Sequence, residues 1–187
     1  MKLVWGITGA GDLMPELIEI MSDAARTPGT EITVVMSKAA ETVLKWYKLT
    51  DRLDGIAQRV FVEKDANTPF LAGPMQVGKY DFFLVAPLTA NSAAKIAHGI
   101  ADTLITNCVA QISKGETPTY LLPVDRCPGS TTTTLPDGTS FTLKVRDVDV
   151  ANVDKVRGIE GLHALDGLDG LRRFLSEQAV GNSGGTS

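Results

Sequence analysis

Apolar residues in this chain fall into short blocks separated by turn residues, and the period within each block indicates the element it builds. Residues 2–8 form a continuous apolar run that ends at Gly9-Ala10-Gly11-Asp12. Leu13, Leu17, Ile18 and Met21 then recur at helical spacing, giving strand, glycine turn and helix. Pro15 suits the first helical turn, where its missing N–H costs nothing. Thr30 to Met36 is a β-branched strand, and Ser37 stands at the N-cap position of a helix carrying Ala40, Val43, Leu44 and Tyr47. A brief strand over 59–62 and a turn-rich stretch over 67–78 lead to Tyr80–Pro87, the most apolar run of the chain. Such a run suits a central parallel strand buried on both faces. Two helices over 89–100 and 103–113, broken at Gly99-Ile100-Ala101-Asp102, precede a fifth strand over 119–123.

Beyond residue 123 the pattern changes. Segments 130–135 and 139–145 flank Pro136-Asp137-Gly138, which reads as an antiparallel hairpin. Residues 149–156 and 168–176 read as short helices. The expected fold class is α/β: a single doubly wound parallel sheet, Rossmann-like or flavodoxin-like, with a C-terminal β-hairpin and short helices. A length of 187 residues supports one core of this kind. The expected organisation is one domain over 1–178 and a disordered tail over 179–187, the end of which (Gly-Asn-Ser-Gly-Gly-Thr-Ser) lacks apolar anchors.

Composition removes several function classes. A formal charge of −4 without a Lys/Arg cluster argues against a nucleic-acid partner. No apolar run approaches the roughly 18–20 residues that cross a bilayer, and the first residues lack a signal peptide's cleavage region, so a cytoplasmic protein is expected. Cys108, Cys127, His98 and His163 are the only thiols and imidazoles, and no CxxC or HxxxH spacing occurs. Neither an iron–sulfur cluster nor a transition-metal site can be assembled from them within one chain, and no metal is expected. Any redox centre must be bound from outside.

In open α/β sheets ligands lie beyond the carboxyl ends of the strands, which directs attention to residues 9–12, 37–38, 87–92 and 123–130. Gly9-Ala10-Gly11 precedes a helix whose N-terminus can hold a phosphate, or it is simply a tight turn. A GxGxxG dinucleotide fingerprint fails at Met14. The acid that would grip an adenosine ribose is replaced by Met36-Ser37-Lys38. Ser37 serves either a phosphate oxygen or the helix N-cap. In Ala86-Pro87-Leu88-Thr89-Ala90-Asn91-Ser92 a buried strand runs into small polar residues. The Asn91 carboxamide can pair with a pyrimidine-like ring edge, or Thr89 or Asn91 merely caps a helix. Cys127, beside Arg126 in a Pro/Gly-rich loop, is either a reactive thiol or an inert one.

Pro87-Leu88-Thr89-Ala90-Asn91-Ser92, followed by Lys95-Ile96-Ala97-His98-Gly99-Ile100-Ala101-Asp102-Thr103-Leu104-Ile105-Thr106-Asn107, resembles the signature of the flavoprotein superfamily that includes the homo-oligomeric flavin-containing cysteine decarboxylases. The first glycine turn and Ser37-Lys38-Ala39-Ala40 also match its pattern. Leu135-Pro136-Asp137-Gly138 with Arg146-Asp147-Val148-Asp149-Val150-Ala151-Asn152-Val153 is similar to the archaeoflavoprotein and dihydromethanopterin reductase branch. The resemblance implies a flavoprotein domain over 1–178 that binds FMN at a subunit interface of a trimer, or a multiple of it. Gly9, Ala10, Gly11, Ser37 and Lys38 would lie near the phosphate. Pro87, Thr89, Ala90, Asn91 and Ser92 would lie beside the isoalloxazine, and Asp102, Thr103 and Leu104 would approach from the second half of the motif. Asp102 can equally be the N-cap of the helix that starts at Thr103.

Two departures separate this chain from the decarboxylases: it has no histidine before residue 98, and Pro123-Val124-Asp125-Arg126-Cys127-Pro128 stands where they carry a PxMNxxMW segment. The expected activity is therefore an FMN-dependent oxidoreductase resembling dihydromethanopterin reductase, which reduces a dihydropterin C=N bond with electrons from NAD(P)H or a separate reductase. Asp125, Arg126 and Cys127 are its candidate substrate residues, and no catalytic or proton-donating residue stands out. The alternatives are an electron-transfer flavoprotein with a redox protein partner and a flavin-modifying or decarboxylase-type member of the superfamily.

Overall fold

The computed structural model describes residues 1–183. Strand and helix alternate from the start: β1 (Lys2–Ile7), α1 (Met14–Ala25), β2 (Glu31–Met36), α2 (Lys38–Trp46), β3 (Arg59–Val62), α3 (Ala72–Gln76), β4 (Phe82–Leu88), α4 (Ala90–Ala97), α5 (Leu104–Ile112) and β5 (Thr119–Pro123). The hairpin β6 (Gly129–Thr134) and β7 (Ser140–Val145) follows, then α6 (Asp147–Arg157), β8 (Leu162–Ala164) and α7 (Gly167–Ser183). Six strands pair in parallel in the order β3-β2-β1-β4-β5-β8, while β6 and β7 form a separate antiparallel pair. This is the doubly wound, flavodoxin-like α/β fold. No described helix is long and apolar enough to cross a membrane.

Alternation along the strands divides the core between the two faces. Leu3, Trp5 and Ile7 pack with Met14, Leu17, Ile18 and Met21 of α1 and with Leu171, Phe174 and Leu175 of α7. Val4, Val35, Phe83 and Val85 pack instead with Leu104, Ile105 and Cys108 of α5 and Val153 and Val156 of α6. All seven residues of β4 are buried, as its unbroken apolar run requires.

The structure corrects the sequence reading in four places. β8 is a sixth parallel strand whose three residues have no strand pattern of their own; its pairing with Thr119–Leu121 makes it one. α3 forms within the supposed turn region despite Gly73 and Pro74, anchored by the buried Ala72 and Met75. Leu13, the first residue of the helical spacing, stands outside α1 as its left-handed N-cap with φ 64, and the helix begins at Met14. The expected tail over 179–187 is helical through Ser183, because a helix already nucleated over Leu171–Leu175 propagates at one hydrogen bond per residue. Residues 184–187 lie outside the described residues.

The ends of β1 and β4 are cross-tied by side chains. The β4 register against β5 shifts between Val85 and Leu88, and the Ala86 carbonyl accepts from the buried Trp5 indole Nε1 at 2.7 Å. One step on, the Thr8 hydroxyl donates to the Pro87 carbonyl at 2.8 Å and accepts from the Thr89 N–H at 2.8 Å. Thr8 is 2% exposed, so water has little access to its hydroxyl. Thr8→Val keeps the shape and strands the Thr89 N–H, at a cost of about 1–3 kcal/mol. The expected result is a lower urea midpoint at unchanged m-value.

Candidate functional site

The carboxyl ends of β1, β4 and β5 open into a crevice roofed by the hairpin. A cavity of about 320 Å³ is lined by Ala10, Gly11 and Asp12 from the first loop, Thr89, Ala90 and Asn91 from the third, Val124 and Asp125 after β5, and Thr133, Phe141 and Leu143 of the hairpin. A larger cavity of about 650 Å³ adjoins it, sharing Gly11, Asp12 and Val124 and adding Tyr47, Arg126 and Arg172. Two bonds hold the hairpin in place: the Thr133 hydroxyl donates to the Asp12 carboxylate, and the Tyr47 hydroxyl donates to the Thr134 carbonyl at 3.0 Å.

Local geometry explains the glycines. A Cβ on Gly9 would stand 2.6 Å from the Ala39 Cβ and 3.1 Å from its carbonyl carbon, so only glycine lets the first loop touch the start of α2. A Cβ on Gly11 would meet the Tyr47 side chain, its hydroxyl at 2.9 Å and ring carbons at 3.3 and 3.4 Å. Neither position is left-handed. The contact brings Gly9 beside Ser37, whose hydroxyl caps α2 by accepting from the Ala40 N–H at 3.1 Å and whose own O–H has no acceptor among the described residues.

Donors without protein partners occur on the loops around the crevice. Among the described residues the backbone N–H groups of Gly9, Gly11 and Asp12 make no hydrogen bond, and those of Ala90 and Asn91 lie in the unpaired first turn of α4. Asn91 is exposed and its carboxamide is uncommitted among the described residues. Thr89 is the α4 N-cap: it accepts from the Ser92 N–H at 3.2 Å and donates to the Ser92 hydroxyl at 3.0 Å. Pro87 is buried behind it. A ligand with one phosphate and a polar planar ring would meet amides at one end and the Asn91 carboxamide at the other.

The second half of the motif is arranged differently. Thr103, and not Asp102, caps α5, in a reciprocal box with Thr106. Asp102 instead pairs with Lys95 at 2.7 Å, and that hydrogen bond holds its carboxyl below the usual range. Glu63, absent from the sequence reading, accepts from the Leu104 N–H at 3.0 Å and the Lys38 N–H at 3.4 Å, drawing the starts of α2 and α5 together. Within one chain neither Ser37 and Lys38 nor Asp102, Thr103 and Leu104 line the two cavities.

The remaining candidates separate clearly. Asp125 lines the smaller cavity, Arg126 the larger, and Cys127 is exposed in the loop between β5 and β6 and lines neither. Cys108 is buried, which pushes its thiol up to about 12, out of reach of thiolate chemistry. His98 ends α4 near Lys155, and His163 stacks on Tyr120 at 5.0 Å; neither faces the crevice. No group of three or more His, Cys, Asp or Glu that could hold a metal ion occurs among the described residues. Asp12, Tyr47, Thr133, Phe141 and Leu143 complete the site, although no local signal in the sequence marks the last three.

Known proteins resemble this chain in sequence and fold. The Flavoprotein family pattern matches residues 1–135. An uncharacterized protein of Methanocaldococcus jannaschii is 50% identical over 157 residues, covering 84% of each chain. A dihydromethanopterin reductase (acceptor) of the same organism is 37% identical over 143 residues, covering 73% of this chain and 58% of its own length, so the match spans little more than half of that enzyme. Among solved structures, Burkholderia xenovorans DmrB in complex with FMN, described as a cubic protein cage for redox transfer, superposes with TM-score 0.81 at 31% identity over 97% of both chains. With the sequence pattern, the parallel sheet and the donor-lined crevice in agreement, this chain belongs to the Flavoprotein family.

Proposed function

We propose that the chain is an FMN-dependent oxidoreductase that reduces the C=N bond of a dihydropterin. The carrying observation is the set of unpartnered donors on the residues that line the smaller cavity: the Gly11 and Asp12 amides on the first loop, and the Ala90 and Asn91 amides with the Asn91 carboxamide on the third. One phosphate and one ring edge are accommodated, and the end of β2 offers no acid for a second ribose. The similarity to a dihydromethanopterin reductase and to an FMN-bound redox protein supports the same reading. When bound, reduced FMN supplies two electrons as a hydride, and the chain's part is binding, orientation and exclusion of water. The hairpin residues Phe141 and Leu143 provide the apolar cover against which a flat bicyclic substrate rests. Electrons enter from a reduced nicotinamide or a separate reductase, and one crevice serves donor and acceptor in turn.

The purified protein is expected to release FMN and not FAD, and Asn91→Ala is expected to weaken flavin binding or shift its redox potential. Each hydrogen bond removed is worth roughly 0.5–1.5 kcal/mol. Identification of the released flavin and titration of the apoprotein with FMN check both.

Stopped-flow mixing of reduced protein with dihydropterin is expected to reoxidise the flavin with no other component present. Persistence of reduced flavin, together with rapid oxidation by a redox protein, would replace the pterin reading with electron transfer between proteins.

The functional unit is a homotrimer or a multiple of it. Exposed Trp46 (54%), the last residue of α2, and Ile100 (48%), between α4 and α5, are candidates for burial between subunits. Light scattering at micromolar concentration is expected to give three times the chain mass or a multiple; a monomer overturns the assignment.

A further inference from the structure

Asp125 occupies a distinctive electrostatic position. It follows β5, tied to β4 by the Val124 N–H to Leu88 carbonyl bond at 3.1 Å, and lines the same cavity as Thr89, Ala90 and Asn91. The charged groups around it come from three places: Asp12 in the first loop, Arg146 at the end of the hairpin, and Asp149 in α6. Asp149, with its side chain 7% exposed, accepts from Arg146 Nε and Nη2, each at 2.7 Å, and Asp12 accepts from the Thr133 hydroxyl. The guanidinium is thus committed to Asp149. Asp125 has no hydrogen bond or ion pair among the described residues. Burial raises its carboxyl above the usual range, the Asp149 and Asp12 carboxylates add to the effect, and Arg146 opposes it only in part. By contrast, Arg146 holds Asp149 below that range.

We propose that Asp125 is the proton donor of the reductive step. This rests on the C=N reductase reading. Two electrons arrive as hydride at the imine carbon, forming a C–H bond and oxidising the flavin. The π pair of the C=N bond moves to nitrogen and takes the Asp125 proton as a new N–H bond, and the carboxylate regains a proton from water once product leaves. The other acids and thiols are unsuited: Asp149 is held ionised, Asp12 is engaged with the hairpin, and His98, His163 and Cys127 lie outside the cavity. A donor of this kind contributes about 10²–10⁴-fold to rate.

The test compares Asp125→Asn and Asp125→Glu with the unaltered holoprotein in reoxidation by dihydropterin and by ferricyanide, which needs no proton at a substrate nitrogen. The expected result is a fall of about 100-fold or more in the ratio of the two rates for Asp125→Asn, with partial recovery in Asp125→Glu. The unaltered protein is expected to slow toward dihydropterin as pH rises through the Asp125 pKa, because only the protonated acid donates, and Asp125→Asn is expected to lose that limb. Isotope-edited infrared titration of the apoprotein supplies a readout independent of turnover: a carboxyl band titrating above the ordinary value of about 4 that vanishes in Asp125→Asn. An unchanged ratio in Asp125→Asn, or a carboxyl titrating in the ordinary range, overturns the assignment while leaving the reductase reading intact. Failure of dihydropterin to oxidise the unaltered protein, with ferricyanide still effective, overturns both.

Discussion

The arrangement of the site depends on one hydroxyl. Thr8 closes β1 by bonding to the Pro87 carbonyl and the Thr89 N–H of the neighbouring central strand, so the first loop and the third leave the sheet at a fixed separation. Trp5 performs the parallel task one step earlier, giving the Ala86 carbonyl the partner that the shifted ladder does not. A ligand that must be gripped by a phosphate at one loop and a ring edge at the other requires that separation to be constant. A hydroxyl that is itself buried, at the end of β1 and bonded to the end of β4, provides it.

Around this fixed pair, the rest of the crevice is held by lighter ties. The hairpin is paired only with itself and reaches the body through Asp12 and Tyr47, and an isolated two-stranded ribbon is marginal in water. Its Phe141 and Leu143 are the main apolar surface facing the cavity. The cover over the site is therefore its least stabilised part.

Charge is arranged with equal economy. Three carboxylates and one arginine gather where β5, the first loop and α6 meet, and each has a different environment: Asp149 is paired, Asp12 receives a hydroxyl, and Asp125 is left facing the cavity. Identical side chains thereby acquire different protonation behaviour, the physical basis on which one residue type can serve both structure and proton transfer.

Local pattern carried the sheet. The runs at 2–8, 30–36, 80–87 and 119–123 are apolar because both faces of their strands are covered, so burial is written into the residues themselves, and the Pro136-Asp137-Gly138 turn carries its own hydrogen-bonding geometry. The loops after β1 and β4 could be placed because the site of an open parallel sheet follows from its topology. Elements that depend on partners distant in sequence could not. β8 exists through its pairing with β5, Glu63 acts across 41 residues on Leu104, and Asp12 meets Thr133 across 121. Sequence alone thus determined the architecture and the polar loops, since period and turn chemistry are local. Tertiary structure decided which of Asp125, Arg126 and Cys127 faces the smaller cavity and which carboxylate goes unpaired, since both depend on how distant segments pack together.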